Sequence, residues 1–537
     1  MHKWRSWLLH GLLVPGAAAL VVLETVAAQA AAAPPAGEWT VAGQNLDNTH
    51  SAPAEHVIGP GNVSRLTQAW QATTGGDVSA TPTEGGGAVY FPDFGGELWA
   101  VKAPTGQPVW SHRISDYTGV AGDLSRVSPA IYNGELVLAD GAQTTNTTAG
   151  AYVFAVDAKT GRQLWRTKVD DHPAANITSS PVVYGNVVYI GVSSKEEAFA
   201  TNPSYPCCTF RGSVVALDAT TGRVLWKTYT VPDNGGRTDA YSGGAVWGST
   251  FAVNPGHGLL YAGVGNNYTV PSGVCTSPGQ TGCSPLASDD YVDAIIALDM
   301  KTGAVRWAAR TVAGDLFTLA CGIPPRPNCG PDFDFGTGPN LYTLPSGRQL
   351  VGAGQKSGIY WAVDALTGAV VWQTPVGPGS VLGGILWGAA TDGHRIYVAI
   401  GNLYGQSYTI TAADGRRSTT SGGSWAALDP GTGRIIWQVA DPQGAMDLGF
   451  MSVANGVVYA PSDAVGGDNM YALDARDGRI LWRFASGGAV VSGAAIVNGV
   501  VYWGSGYRLA SACPGAPATT SVCAGDNQRV YAFRLAS

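Results

Sequence analysis

An all-β fold, an eight-bladed β-propeller of four-stranded antiparallel blades, is predicted by three observations on this sequence. A short motif recurs at fixed internal spacing. The composition is that of many short strands joined by tight turns. A partial repeat at the C-terminal end is matched by a lone strand near the N-terminal end, as ring closure requires.

The motif is clearest at Val156-Asp157, Thr160-Gly161 and Trp165, and again at Leu217-Asp218, Thr221-Gly222 and Trp226, and at Leu298-Asp299, Thr302-Gly303 and Trp307. It continues at Asp364/Gly368/Trp372, Asp429/Gly433/Trp437 and Asp474/Gly478/Trp482, with Lys102/Gly106/Trp110 as a variant. Gly always stands four residues after the first position and Trp eight after it. The apolar residues before each Asp read as a strand. The carboxylate then accepts backbone N–H groups in a turn where Gly takes a positive φ, and Trp starts the returning strand. Intervening pairs such as Val182–Tyr184 and Val187–Ile190, joined by Gly185-Asn186, complete four strands per unit. Trp70 adds an eighth landmark, and the strand Val530–Phe533 lacks its own Asp-turn-Trp end, which the strand ending at Trp70 supplies. These Trp residues dock blade on blade and carry stability, so chemistry belongs to residues that break the repeat.

Charged residues are only 13% of the 537, against 74 Gly and 17 Trp. The net charge of −7, without clustered Lys and Arg, excludes a nucleic-acid surface. Lys3 and Arg5 precede an apolar run from Leu12 to Leu23 and the small-residue site Ala28-Gln29-Ala30, which is a secretory signal peptide over residues 1–30. Residues 31–537 are then expected to form one propeller domain, exported to the periplasm or medium, with no transmembrane segment. Eight cysteines fall into close pairs, Cys207 with Cys208, Cys275 with Cys283, Cys321 with Cys329 and Cys513 with Cys523, and export makes four local disulfides the natural reading. No Cys-x-x-Cys-His occurs, so no c-type haem and no cytochrome c domain is expected.

Several single-copy segments stand outside the repeat: Glu38-Trp39 with Gly43, Ile58, Gly61-Asn62-Val63 and Leu66; Gly191 to Glu196, ahead of Arg211-Gly212; Gly244 to Gly248; Tyr261 to Asn266; and Asp332-Phe333-Asp334-Phe335. With the repeats, they resemble the quinoprotein alcohol dehydrogenases, most closely the polyvinyl alcohol dehydrogenase branch, from Glu38 to the C-terminus. The N-terminal segment departs from the family pattern at Gln44, where a basic, Asn or Met residue is expected, and at Ser51, where an aromatic is expected.

The resemblance implies pyrroloquinoline quinone and Ca²⁺ as cofactors. It implies Glu196, Asn266 and Asp334 as metal ligands, with Glu197 and Asp332 the alternatives to the first and last. Read on their own, such oxygens are what a hard divalent cation selects, although a strand-end Glu is usually solvated and Asn after Gly usually makes a turn. Trp247 would stack under the quinone, Arg126 and Lys356 would contact its carboxylate and quinone oxygens, and Thr178 would offer a hydroxyl. Family members carry adjacent cysteines just before the Arg that Arg126 matches. Here Ala121 to Ser125 stands in that place and the adjacent pair is Cys207-Cys208, expected near the channel mouth.

The implied activity is oxidation of an alcohol, secondary or polymeric, with Asp334 taking the hydroxyl proton as hydride passes to the quinone. Electrons would then go to a separate acceptor such as a cytochrome c. The rival reading is a non-catalytic propeller scaffold for other envelope proteins, in which Glu196, Asn266, Asp334, Trp247 and Lys356 have no joint purpose. A hydrolase finds no acid pair or Ser-His-Asp set to support it.

Overall fold

The computed structural model describes residues 37–141, 150–248, 250–326, 329–507 and 527–536. The expected signal peptide, residues 1–30, and the Cys513–Cys523 pair lie outside the described residues. Seven consecutive antiparallel sheets follow one another along the chain, the first running from Thr83–Gly85 inward to Pro108–Arg113 outward and the seventh from Ser452–Ala454 to Ile480–Phe484. The third carries an extra two-residue strand, Ala175–Asn176. In the eighth, Ala494–Val497, Val500–Ser505 and Arg529–Leu535 take their outermost strand from the other end of the chain, Leu66–Thr73. The eight-bladed ring is closed through that strand, as expected.

The motif works as its chemistry requires. Asp157 Oδ1 accepts the backbone N–H groups of Lys159 and Thr160 and the Thr160 hydroxyl, and Gly161 sits at φ +69°. Each landmark Trp but the last then lies against the glycine of the following blade, and its indole donates to a carbonyl beside that turn. Trp165 reaches Ala219 O at 2.7 Å, Trp226 reaches Met300 O at 3.1 Å and Trp437 reaches Ala475 O at 3.0 Å. The last, Trp482, donates to Leu66 O at 3.0 Å and ties the seventh blade to the closing strand.

In a propeller the innermost strands are sheet edges facing the central channel, and unpaired edge groups must be covered. Here the segment from Trp39 to Ala52 covers them. Its backbone bonds in turn to Glu84, Ile131, Val253, Leu341, Thr391 and Val453, one from each of six blades. Three disulfides are formed, Cys207–Cys208, Cys275–Cys283 and Cys321–Cys329, and no cysteine among the described residues is free. Among those residues no helix is long and apolar enough to cross a membrane.

Candidate active site

The glycine turns of the repeat occupy one end of each of the first seven blades. The candidate residues come from loops at the other end, where second strands finish and where one blade passes to the next. Asn266 follows the strand Leu259–Gly263, and Lys356 follows Gln349–Gly354. Trp247 and Asp334 lie in the passages leading to Ala252–Asn254 and Asn340–Thr343.

Lys356 is the hub. Its ammonium lies 2.9 Å from both oxygens of Asp332, 2.8 Å from Asp334 Oδ1 and 5.0 Å over the Trp247 ring. Trp247 Nε1 donates to Asp334 Oδ2 at 2.6 Å. Burial alone would lower the Lys356 pKa, but the carboxylates of Asp332, Asp334 and Glu197 outweigh it and hold the ammonium above its usual range. Burial, with Asp334 adding to it and Lys356 opposing, pushes Glu197 up. One ammonium thus contacts two carboxylates and feels the charge of a third, Glu197, and its contact with Asp334 Oδ1 is an ion pair without hydrogen-bond alignment.

Glu196 is not part of this cluster. Adjacent residues on the short helix Glu196–Phe199 point about 100° apart, so only one of the two acids can face the site. Glu196 is fully buried on the other side, where its carboxylate accepts Thr209 N at 3.0 Å, Phe210 N at 2.8 Å and the Tyr205 hydroxyl at 3.0 Å. It anchors the loop that carries Cys207–Cys208. Glu197, the alternative to Glu196, feels the charges of Lys356 and Asp334.

Asn266 donates both amide hydrogens to backbone, to Asn267 O and Phe317 O at 2.8 Å each, which turns its carbonyl oxygen into the only group left to bind a ligand. Gly265 beside it allows a close approach: a Cβ there would stand 2.9 Å from Asp334 Oδ2 and 3.2 Å from Trp247 Nε1. A hard cation fits this donor set of carboxylates beside a free amide oxygen, and its charge would favour the ionised forms that burial disfavours at Asp332 and Glu197. Among the described residues no three His, Cys, Asp or Glu side chains converge as a ready cage, and Lys356 is what the acids now share.

Thr178 spends its hydroxyl on Trp247 O at 3.0 Å and so fixes the backbone of that residue. Arg126 stands apart from the acids. Its guanidinium lies 4.4 Å over the ring of Trp387, which meets Trp247 edge-on at 5.4 Å. Arg126 and Thr178 line a small cavity together with Ser79, Ser128, Trp387 and Phe450. Cys207 and Cys208 pack in the same apolar cluster as Trp247. Trp387 was not anticipated, yet Gly383-Gly384-Ile385-Leu386-Trp387-Gly388 repeats the pattern of Gly243-Gly244-Ala245-Val246-Trp247-Gly248. That internal echo was the available signal.

The model of the glucose/ethanol/alcohol dehydrogenase β-propeller domain matches residues 39–387, and that of outer membrane protein assembly factor BamB matches residues 421–533. The chain is 30% identical to a polyvinylalcohol dehydrogenase of Pseudomonas sp, covering 88% of this chain and 73% of the relative. It is 31% identical to the polyvinylalcohol dehydrogenase of Sphingopyxis sp. (strain 113P3), covering 83% and 69%. Among solved structures, a europium-containing methanol dehydrogenase superposes with a TM-score of 0.68 at 20% identity, over 94% of this chain and 99% of the other. Quinohemoprotein alcohol dehydrogenase from Comamonas testosteroni gives 0.67 at 18% identity, over 93% and 80%. At such identities the superpositions speak for the fold.

Proposed function

The chain belongs to the pyrroloquinoline quinone-dependent alcohol dehydrogenases with a β-propeller domain, and on that premise we propose that it is exported and oxidises secondary alcohol groups, including those of a polymer. The relatives at 30% and 31% identity, both polyvinylalcohol dehydrogenases, support the substrate class. The Lys and Arg, apolar run and small-residue site within residues 1–30 support export. The observation that carries the reading is the buried cluster of Asp332, Asp334, Lys356 and Trp247.

The quinone, when bound, supplies the two-electron step by accepting hydride from the alcohol carbon. The remaining requirements fall to this chain. Trp247 offers an aromatic face for a flat ligand, kept in place by Thr178 at its backbone and Trp387 at its edge. Its N–H occupies Asp334 Oδ2, so Oδ1 is left as the oxygen that takes the hydroxyl proton. Lys356 keeps a fixed positive charge beside that oxygen and within reach of anything stacked on Trp247. Glu197, the Asn266 carbonyl and Asp334 would hold Ca²⁺, and Arg126 would pair with a ligand carboxylate. Electrons would leave to a separate acceptor of cytochrome c type. The scaffold reading draws on the repeats alone, and the BamB match at residues 421–533 contains none of the candidate residues.

Reconstitution tests the proposal. Purified protein is titrated with the quinone plus Ca²⁺, or plus a trivalent lanthanide in a second arm, and dye reduction is followed with primary, secondary and polymeric alcohols. Quinone binding with turnover of secondary alcohols is expected. Wild-type protein that binds no quinone with either ion would leave the scaffold reading in possession.

A further inference from the structure

Behind the two-acid turn lies a third carboxylate that touches neither Lys356 nor Trp247. Asp315 is 1% exposed, and both of its oxygens are committed to consecutive backbone N–H groups: Oδ1 to Asp332 at 3.0 Å and Oδ2 to Phe333 at 2.6 Å. Asp332 itself sits at φ +63°, in the left-handed region that non-glycine residues rarely occupy. A backbone in that state persists where its surroundings over-determine it.

The same stretch of chain also reaches Asn266. Asp315 O accepts Asn267 N at 3.2 Å, Phe317 N donates to Asn267 O at 3.0 Å, and Phe317 O is one of the two acceptors that orient the Asn266 amide. Gly330 N returns to Leu316 O at 2.7 Å, so residues 315–317 and 330–333 are the two arms of one loop, stapled by Cys321–Cys329. Gly330 has to be glycine, because a Cβ there would collide with Asp315 Oδ1.

We propose that Asp315 is the positioning residue of the site: by gripping the N–H groups of Asp332 and Phe333 it aims the carboxylates of Asp332 and Asp334 at Lys356 and at the cation between Asp334 and Asn266. This rests on the proposed function for the identity of the cation, but the grip itself does not. Asp315→Asn keeps the volume and replaces one acceptor by a donor that faces an N–H group, which is incompatible with the present bonding. Gly330→Ala attacks the same grip from the other side without altering any acid.

The experiment compares wild type, Asp315→Asn and Gly330→Ala. Crystal structures of the three report whether Lys356 still lies within 3.2 Å or so of both Asp332 and Asp334, the span of an ordinary hydrogen bond. Terbium luminescence, sensitised by tryptophan, reports cation affinity in the quinone-free protein, and thermal melting reports the fold. Loss of at least one Lys356 contact, with terbium affinity about tenfold weaker and melting little changed, is the expected result for a residue acting through the ligands. Both contacts kept, or affinity within about twofold of wild type, would overturn the assignment. Wild type that binds no terbium would sink the cation reading of the site, and the crystallographic comparison would then decide Asp315 by itself. If Asp315→Asn fails to fold, Gly330→Ala carries the same two readouts.

Discussion

Alanine placed at Gly433 should reveal how much of the ring depends on Trp-on-glycine docking. Gly433 sits at φ +72°, and a Cβ there would run into the Trp372 indole and the Thr374 hydroxyl. The left-handed backbone alone costs a non-glycine residue about 1–2 kcal/mol. Forcing a group against a packed ring adds about 1–3 kcal/mol, and the ring cannot retreat without straining the Trp372 Nε1 bond to Pro430 O at 3.1 Å. Gly185 is the control, because its φ of +61° carries the same backbone strain while no atom lies within 4 Å of its would-be Cβ. Gly433→Ala should therefore lose about 2–5 kcal/mol and Gly185→Ala about 1–2 kcal/mol. Equilibrium denaturation of both variants, with unchanged m-values, reads the difference. Equal losses would mean that the indole–glycine contact is not what docks the blades.

Asp334→Asn should lower turnover about 10²–10⁴-fold while quinone binding survives, and if Asp332→Asn is dead while Asp334→Asn works, the base has been assigned to the wrong acid. Trp247→Ala should weaken quinone affinity yet barely move the melting temperature of the quinone-free protein, since Trp247 docks no blade; early unfolding would contradict that role. Glu197→Gln should weaken cation binding about 10–100-fold, whereas Glu196→Gln should loosen the Cys207–Cys208 loop, visible as faster proteolysis between residues 199 and 211; the opposite pattern would restore Glu196 as the ligand. His50 is fully buried with neither ring nitrogen partnered, and burial pulls its pKa from 6.5 to about 4. Between those values the unfolded chain binds a proton that the fold refuses, so stability falls with pH across that window, by about 2 kcal/mol at pH 5. Denaturation of wild type and His50→Asn at pH 7.5 and 5 isolates this contribution, and identical pH slopes would rule it out.

The ring was legible because its cause is periodic. Asp157, Thr160 and Gly161 form their turn with local bonds alone, and Trp165 follows at a distance fixed by the strand, so spacing conveys the hairpin. What each Trp rests on was not legible, because Gly222 lies against Trp165 only once two blades are side by side. The choice between Glu196 and Glu197 was not legible for a similar reason. Both stand in a loop after Val187–Ser194, and which one turns inward is set by Thr209 and Phe210, whose N–H groups lie 13 and 14 residues further on. Asp315 had no motif at all. It shows itself only through the two N–H groups it holds, across the 17 and 18 residues that separate them from it.

Stability and chemistry divide between the two ends of each blade, and this explains why the candidate residues occupy only part of the chain. Turn and glycine, with the indole laid on them, consume one end of the first seven blades, so substitutions there are felt by the neighbouring blade. The loops at the other end carry no repeat turn, and they can lengthen, acquire a disulfide and carry ligands. Arg126, Thr178, Glu197, Trp247, Asn266, Asp334 and Lys356 all come from such loops between residues 126 and 356. Yet the rest of the chain is not idle. The Arg126 guanidinium also lies 5.6 Å from the ring of Tyr507, and Trp387 stacks on Phe450 at 6.3 Å. Both partners follow residue 421, within the stretch that the model of outer membrane protein assembly factor BamB also matches. The repeats without candidate residues thus supply the walls against which Arg126 and the two tryptophans are held, and they can do so only because Leu66–Thr73 pairs with Arg529–Leu535 and closes the ring.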